Sequence, residues 1–228
     1  MENGNSIYSE RARLGAGFFL SLWLHKKKSM EFVIPDYIKG LIFDLDGTLA
    51  NTMPFHMKAW KQACQSFGMD MSSEFLRSFT GTPGKNIAHA LIKYYSKEGF
   101  IDPDVIAEQK KENFINMQHL VEEVKPVADI VRKYHGILPM ALGTGGHRDT
   151  AIRTLETIEM LQYFDHIVTA DDVSNHKPDP ETFIRCAGLL DVSPVKIMVF
   201  EDGDLGIKAA RTVGMHPVDV RGWYEYTW

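Results

Sequence analysis

Two carboxylates two residues apart, Asp44 and Asp46, stand where the apolar run Gly40-Leu41-Ile42-Phe43 breaks into Gly47-Thr48-Leu49. An extended chain repeats every two residues, so both side chains project to one side. Open α/β sheets bind ligands beyond the carboxyl ends of their strands, which is where this pair would lie. Such a pair suits a divalent cation. With a cation between them and a phosphate, one carboxylate can attack phosphorus while the other manages the leaving group's proton. Asp-Gly is also a common turn that two aspartates can simply cap, but the apolar strand ahead of it is the context the chemistry needs.

Three later segments carry related chemistry. Pro139-Met140-Ala141-Leu142 runs into Gly143-Thr144-Gly145-Gly146, where the Thr144 hydroxyl, the following amides and a helix N-terminus could cradle a phosphate. A dinucleotide fingerprint would need glycine at position 148, which is Arg148. In His176-Lys177-Pro178 a fixed Lys177 ammonium could sit between phosphate and carboxylate, although a solitary loop lysine is ordinarily just solvated. Glu201-Asp202-Gly203-Asp204 then ends another apolar run with hard oxygen ligands. Asp44, the Asp46 backbone carbonyl, Asp202 and either Glu201 or its water form a set suited to Mg²⁺, while Asp204 is expected to cap the next helix. His56 and Trp60, spaced i,i+4, share one helix side, so His56 could reach a substrate or orient Asp46 while Trp60 could equally be core. Lys85 and Lys110 are candidates for sugar or phosphate contacts.

The elements that must position these groups are legible in outline. From residue 120 onward short apolar strands alternate with helices, which predicts a parallel sheet covered on both faces. Strands are expected at Leu41–Asp44, Leu138–Leu142, His166–Thr169, Lys196–Phe200 and His216–Val220. Helices are expected near Pro126–Tyr134, Arg148–Met160, Pro180–Leu190 and Leu205–Val213, with Pro126 and Pro180 in first turns and Gly136 and Gly214 as C-terminal caps. The stretch from Met53 to Gln118 has helical patterns only. Its first helix takes Thr52 as N-cap and Pro54 in the first turn, with Phe55, Ala59, Ala63 and Phe67 on one face. The expected organisation is therefore a core of residues 30–51 and 119–228 with a helical cap over 52–118, hinged so that closure excludes water.

Composition limits the function classes. Hydrophobic residues make up 44% and charged residues 24% of the 228, ordinary for a soluble globular protein. The formal charge of −5, with no basic cluster interleaved with aromatics, argues against a nucleic-acid partner. Cys64 and Cys186 have neither metal nor redox spacing, so a cytoplasmic location and buried thiols are expected. Residues 1–29 differ from the rest: Leu14–Leu24 is apolar, flanked by Arg11 and Arg13 and by Lys26-Lys27-Lys28. That run is too short to span a bilayer, and no small-residue cleavage site follows it. The segment is expected to be an extension outside the fold, ahead of Met30, with an amphipathic membrane contact the less favoured reading.

Taken together, the motifs resemble the haloacid dehalogenase superfamily of aspartyl phosphotransferases over about residues 38–221. They stand in the family's order: Asp44-Leu-Asp46-Gly-Thr, the Thr144 loop, Lys177, and Glu201-Asp202. The capped β-phosphoglucomutase-like subgroup is the best match, since Thr52, His56 and Trp60 fit its pattern after the nucleophile. Gly143-Thr144-Gly145, His176-Lys177-Pro178 and Phe200-Glu201-Asp202 look particularly like its fructose-1-phosphate phosphatase branch. The resemblance implies a Rossmann-like core with a five-stranded parallel sheet, Mg²⁺, Asp44 as nucleophile, Asp46 as general acid then base, and a phosphoaspartate intermediate. It implies a small phosphorylated sugar as substrate, contacted by Thr52, His56, Trp60, Gly81, Lys85, Lys110 and Gly145, and a monomer or weak dimer. Where the mutases carry an arginine for the sugar's distal phosphate, this chain has Gly81-Thr82-Pro83-Gly84. A flexible lysine such as Lys85 does not replace a bidentate clamp, so hydrolysis is expected rather than phosphoryl transfer within the sugar. A β-phosphoglucomutase is the alternative, and a catalytically inactive binding protein on the same fold is a remoter one.

Overall fold

The computed structural model describes residues 32–77 and 84–225. The extension expected over residues 1–29, and Gly81, Thr82 and Pro83, lie outside them. Residues 32–35 have no regular structure, and residues 36–225 belong to a unit described by itself.

Within residues 36–225 five parallel strands form one sheet in the order β3-β2-β1-β4-β5. They are β1 (Gly40–Phe43), β2 (Met140–Gly143), β3 (His166–Val168), β4 (Ile197–Glu201) and β5 (His216–Asp219). The three central strands, GLIF, MALG and IMVFE, are buried along their whole length, which is why they read as unbroken apolar runs rather than alternating ones. Helices α5 (Lys125–Tyr134), α6 (Arg148–Thr157), α7 (Glu181–Leu190) and α8 (Asp204–Thr212) connect and cover the strands. Gly136 and Gly214 take positive φ values of 73° and 76° just past α5 and α8, as helix termination requires. Two local expectations change. Pro180 is the N-cap of α7 rather than a first-turn residue, and Gly203 caps α8, so Asp204 is its first helical residue. The Asp204 carboxylate pairs with Arg221 at 2.9 Å.

Between β1 and α5 lie α1 (Met53–Ser66), α2 (Ser73–Arg77), α3 (Gly84–Tyr94) and α4 (Pro103–Met117). They share an apolar cluster that includes Met57, Trp60, Cys64, Leu91 and Ile106. The single stripe expected on α1 is divided between two clusters. Ala63 and Phe67 join that cluster, whereas Phe55 and Ala59 pack on Phe114 and Met117 of α4. Thr52 is the N-cap of α1 but has helical backbone angles and makes no capping side-chain bond. The two connections to these helices run side by side, since Asn51 N–H donates to the Glu122 carbonyl and Val124 N–H to that of Leu49. Gln118, just past α4, donates to the Thr150 carbonyl and the Thr154 hydroxyl of α6 at 2.6 and 2.7 Å. Cys64 and Cys186 are buried free thiols, and burial pushes their pKa values up to about 11 and about 12. No helix among the described residues is long and apolar enough to cross a membrane.

Candidate active site

Strand register brings the acidic groups together. Phe43 stands opposite Leu142 of β2 and Phe200 of β4, so the residues that follow, Asp44, Gly143 and Glu201, meet at one sheet edge. Lys177, whose peptide bond to Pro178 is cis, reaches into this point from the loop after β3. Its Nζ donates to Asp44 Oδ1 at 2.7 Å, to Glu201 Oε2 at 2.8 Å and to the Gly143 carbonyl at 3.2 Å. All three charged side chains are buried, each with less than a tenth of its surface exposed. The Thr48 hydroxyl donates to Asp202 Oδ1 at 3.1 Å, and Asp202, Asp44 and Glu201 bring carboxylate oxygens within 4.8 Å of one another.

Those three carboxylates face one ammonium. Burial, then Glu201, pushes the Asp44 pKa well above the carboxylate range against the opposing charge of Lys177, and Asp202 adds to the rise. Asp44 and Glu201 hold the Lys177 pKa up despite burial. The excess negative charge and the all-oxygen donor set fit a hard divalent cation such as Mg²⁺. Backbone approach shapes the cluster too. A Cβ on Gly206 would fall 2.2 Å from the Glu201 carboxyl group, and one on Gly47, where φ is +81°, would fall 2.3 Å from Asp202 Oδ2.

Asp46 belongs to a second network. His56 Nε2 lies 3.1 Å from Asp46 Oδ1, and Lys110 Nζ lies 2.9 Å from His56 Nδ1. The imidazole stacks on Phe114 with ring centroids 4.0 Å apart, and Lys110 sits over the Phe114 and Trp60 rings. Burial and then the Lys110 charge lower the His56 pKa, so the ring is neutral, donates from Nε2 to Asp46 and accepts at Nδ1 from Lys110. Burial lowers the Lys110 pKa to about 8. Burial alone would raise the Asp46 pKa, yet its partners, His56 first and then Thr52 and Lys110, bring it down to about 2. Asp46 is therefore ionised at neutral pH.

Both networks line one cavity of about 1100 Å³, closed on the other side by α1 and α4. A family profile for haloacid dehalogenase-like hydrolases matches residues 41–220. The chain belongs to that family. It is 41% identical to the fructose-1-phosphate phosphatase YqaB of Escherichia coli K12 over 80% of its own length and 96% of that protein's. It is 29% identical to a phosphorylated carbohydrates phosphatase of Thermotoga maritima, over 79% of this chain and 84% of that one. A β-phosphoglucomutase from Clostridium difficile superposes with a TM-score of 0.71 at 24% identity, over 80% of this chain and 84% of that one, which shows the shared fold.

The remaining expected residues of this haloacid dehalogenase-like hydrolase fall in different places. Thr144 is buried, and its hydroxyl oxygen accepts from the Gly146 amide at 3.0 Å, which leaves its proton to donate towards the cavity. Two donors of the phosphate cradle expected from the amides after Thr144 and from the helix behind them are engaged within the protein. The Gly146 amide is turned onto Thr144, and the Arg148 amide that opens α6 donates to Asp171 Oδ2 at 2.8 Å. Gly145 is exposed on the cavity wall, with open space where a side chain would stand. Lys110, expected as a substrate contact, lines the cavity and is the far member of the His56 chain. Lys85 lines the cavity but donates to Asp104 at 3.0 Å, and Trp60 is buried beneath it all with one edge on the cavity. Four contributors escaped the sequence reading: Thr48, Phe114, Asp149 and Asp171. Only Thr48 had a local signal, its place in the Asp-Gly-Thr run.

Proposed function

We propose that this chain is a Mg²⁺-dependent phosphatase of small sugar phosphates that works through a phosphorylated Asp44, as a cytoplasmic monomer or weak dimer. The observation that carries this reading is the different hold on two aspartates that line one cavity, Asp44 clamped by Lys177 and Asp46 held by His56. The identity to a fructose-1-phosphate phosphatase supports the substrate class, and the stretch Gly81-Thr82-Pro83-Gly84, without an arginine, favours hydrolysis over transfer.

Asp44, Asp202, Glu201 or a water on it, and the Asp46 carbonyl would hold the ion, which when bound offsets charge on the phosphoryl oxygens. Lys177 holds Asp44 Oδ1 and leaves the other oxygen to attack phosphorus, with the Thr144 hydroxyl donating to a phosphoryl oxygen. The bond from phosphorus to the sugar oxygen breaks as Asp46 delivers a proton to that oxygen. Asp46 rests ionised, but a phosphate dianion brought against it raises its pKa, since like charges disfavour ionisation, so Asp46 takes up the proton it delivers from solvent as the substrate binds. The Asp46 carboxylate then takes a proton from water as that water attacks phosphorus, releasing phosphate and restoring Asp44.

The test is incubation with Mg²⁺ and either fructose 1-phosphate or β-glucose 1-phosphate, following free phosphate and glucose 6-phosphate together. Free phosphate without isomerisation is the expected result. Glucose 6-phosphate without phosphate release would make the enzyme a mutase.

A further inference from the structure

Beside the acidic groups, the cavity is lined by the cations Lys85, Lys111 and Arg148. Each already has a carboxylate. Lys85 pairs with Asp104, Lys111 of α4 with Asp149 of α6 at 2.8 Å, and Arg148 with Asp172 at 2.7 Å. Asp149 and Asp171 do more than neutralise cations. Asp171 accepts from the Arg148 amide and from His147 Nδ1, at 2.8 and 2.7 Å, and Asp149 accepts from the Thr150 amide at 2.7 Å. The first-turn amides of α6 are donors an incoming anion would use, and resident carboxylates occupy two of them, those of Arg148 and Thr150.

We propose that Asp149 and Asp171 determine specificity: by filling these donors they admit a neutral polyol and reject a substrate with a second anionic group. The proposal rests on the phosphatase reading and deepens it. A second phosphate would have to displace a carboxylate from its partners or stand beside it as a like charge, and either costs affinity without a compensating contact. Lys111 matters most, because its ion pair with Asp149 joins the cap side of the cavity to the core side. Specificity here comes from repulsion and prior occupancy rather than from a missing cation, so removing one resident charge relaxes it.

The experiment compares kcat/KM for fructose 1-phosphate and for hydrolysis at the 1-position of fructose 1,6-bisphosphate, in the wild type, Asp149→Asn, Asp171→Asn and Lys111→Met. The wild type is expected to prefer the monophosphate roughly a hundredfold, as a built-in like charge allows. Asp149→Asn should narrow that ratio about tenfold by gaining on the bisphosphate, through the freed Lys111. Asp171→Asn should narrow it by removing the like charge held at the Arg148 amide, whereas Lys111→Met should widen it. A ratio unchanged in both asparagine variants overturns the proposal. So does a wild type that hydrolyses both sugars alike, although the phosphatase reading then stands. A wild type inert towards both removes that reading instead.

Discussion

Asp44 and Asp46 are the same residue type two positions apart, and their surroundings drive them in opposite directions. Burial among acids raises the Asp44 pKa, while His56 first, then Thr52 and Lys110, bring that of Asp46 down to about 2. Pairs of carboxyl groups pushed apart in this way are where nucleophile and proton carrier divide their roles. Asp44→Asn removes the attacking oxygen and keeps the shape, so turnover should drop by about 10⁴-fold or more, and a near-normal rate in single-turnover assays would eliminate the nucleophile assignment. Lys110 is a subtler case, because burial outweighs the pull of Asp46 and leaves its pKa at about 8. The unfolded chain, with a lysine pKa of about 10.4, binds more protons between those two values, so stability rises with pH across that window. Below about pH 8 the cost of the buried charge is present in full. Lys110→Met should therefore raise stability at pH 7 by about 1–3 kcal/mol in thermal unfolding. It should also slow turnover by about tenfold, since His56 loses its Nδ1 partner, and erase the fall in kcat expected as pH rises through about 8.

The strands and helices supply distances that side chains alone cannot. Three parallel strands in register end together, so Asp44, Thr144 and Glu201 are brought side by side from positions up to 157 residues apart along the chain (201 − 44). Helix α8 must then approach closely enough for the Glu201 carboxyl to lie against its backbone, and Gly206 is what permits it. In an open helix, glycine to alanine would gain about 0.5–1 kcal/mol of helix propensity. Here the added Cβ overlaps Glu201, and overpacking of this kind costs about 1–3 kcal/mol, so the clash should win. Gly206→Ala should lower the unfolding midpoint and also weaken activity, because Glu201 must leave Lys177. Intact stability in a chemical-denaturation curve would show that the helix shifts instead.

Across the molecule, the cavity exists only because α1 and α4 stand over the sheet edge. Closure by these helices keeps Lys177, Asp44 and Glu201 away from water, and a low-dielectric surrounding strengthens every charge interaction among them. The protein alone leaves three carboxylates against one ammonium at that point. A bound divalent cation should therefore stabilise the whole fold. At a hundred times its Kd, Mg²⁺ would add about 2.7 kcal/mol, read as a concentration-dependent rise in the melting temperature. Chelation should abolish activity and reverse the rise together, and a melting temperature indifferent to Mg²⁺ would argue against the carboxylate cluster as its site.

The strand-ending motifs were legible because they are local. An apolar run followed by Asp-x-Asp-Gly, by Gly-Thr-Gly-Gly or by Glu-Asp fixes a strand, its end and the residue at that end within ten positions, and the family follows from their order. Elements closed by glycine or proline were equally clear. Roles that depend on how a helix is rotated were not. Spacing placed His56 and Trp60 on one side of α1 but could not say that Lys110, in a different helix, would meet the far nitrogen of His56. Nor could it say that Asp149 and Asp171 would occupy the amides of α6. The Lys110–His56 and Arg148–Asp171 contacts join residues 54 and 23 positions apart across surfaces whose packing angle is set by the apolar clusters beneath them, not by neighbours in the chain. Local sequence thus determined the chemistry at the sheet edge, and the docking of the helices over that edge decided which proton each group can move and which substrate charge the cavity admits.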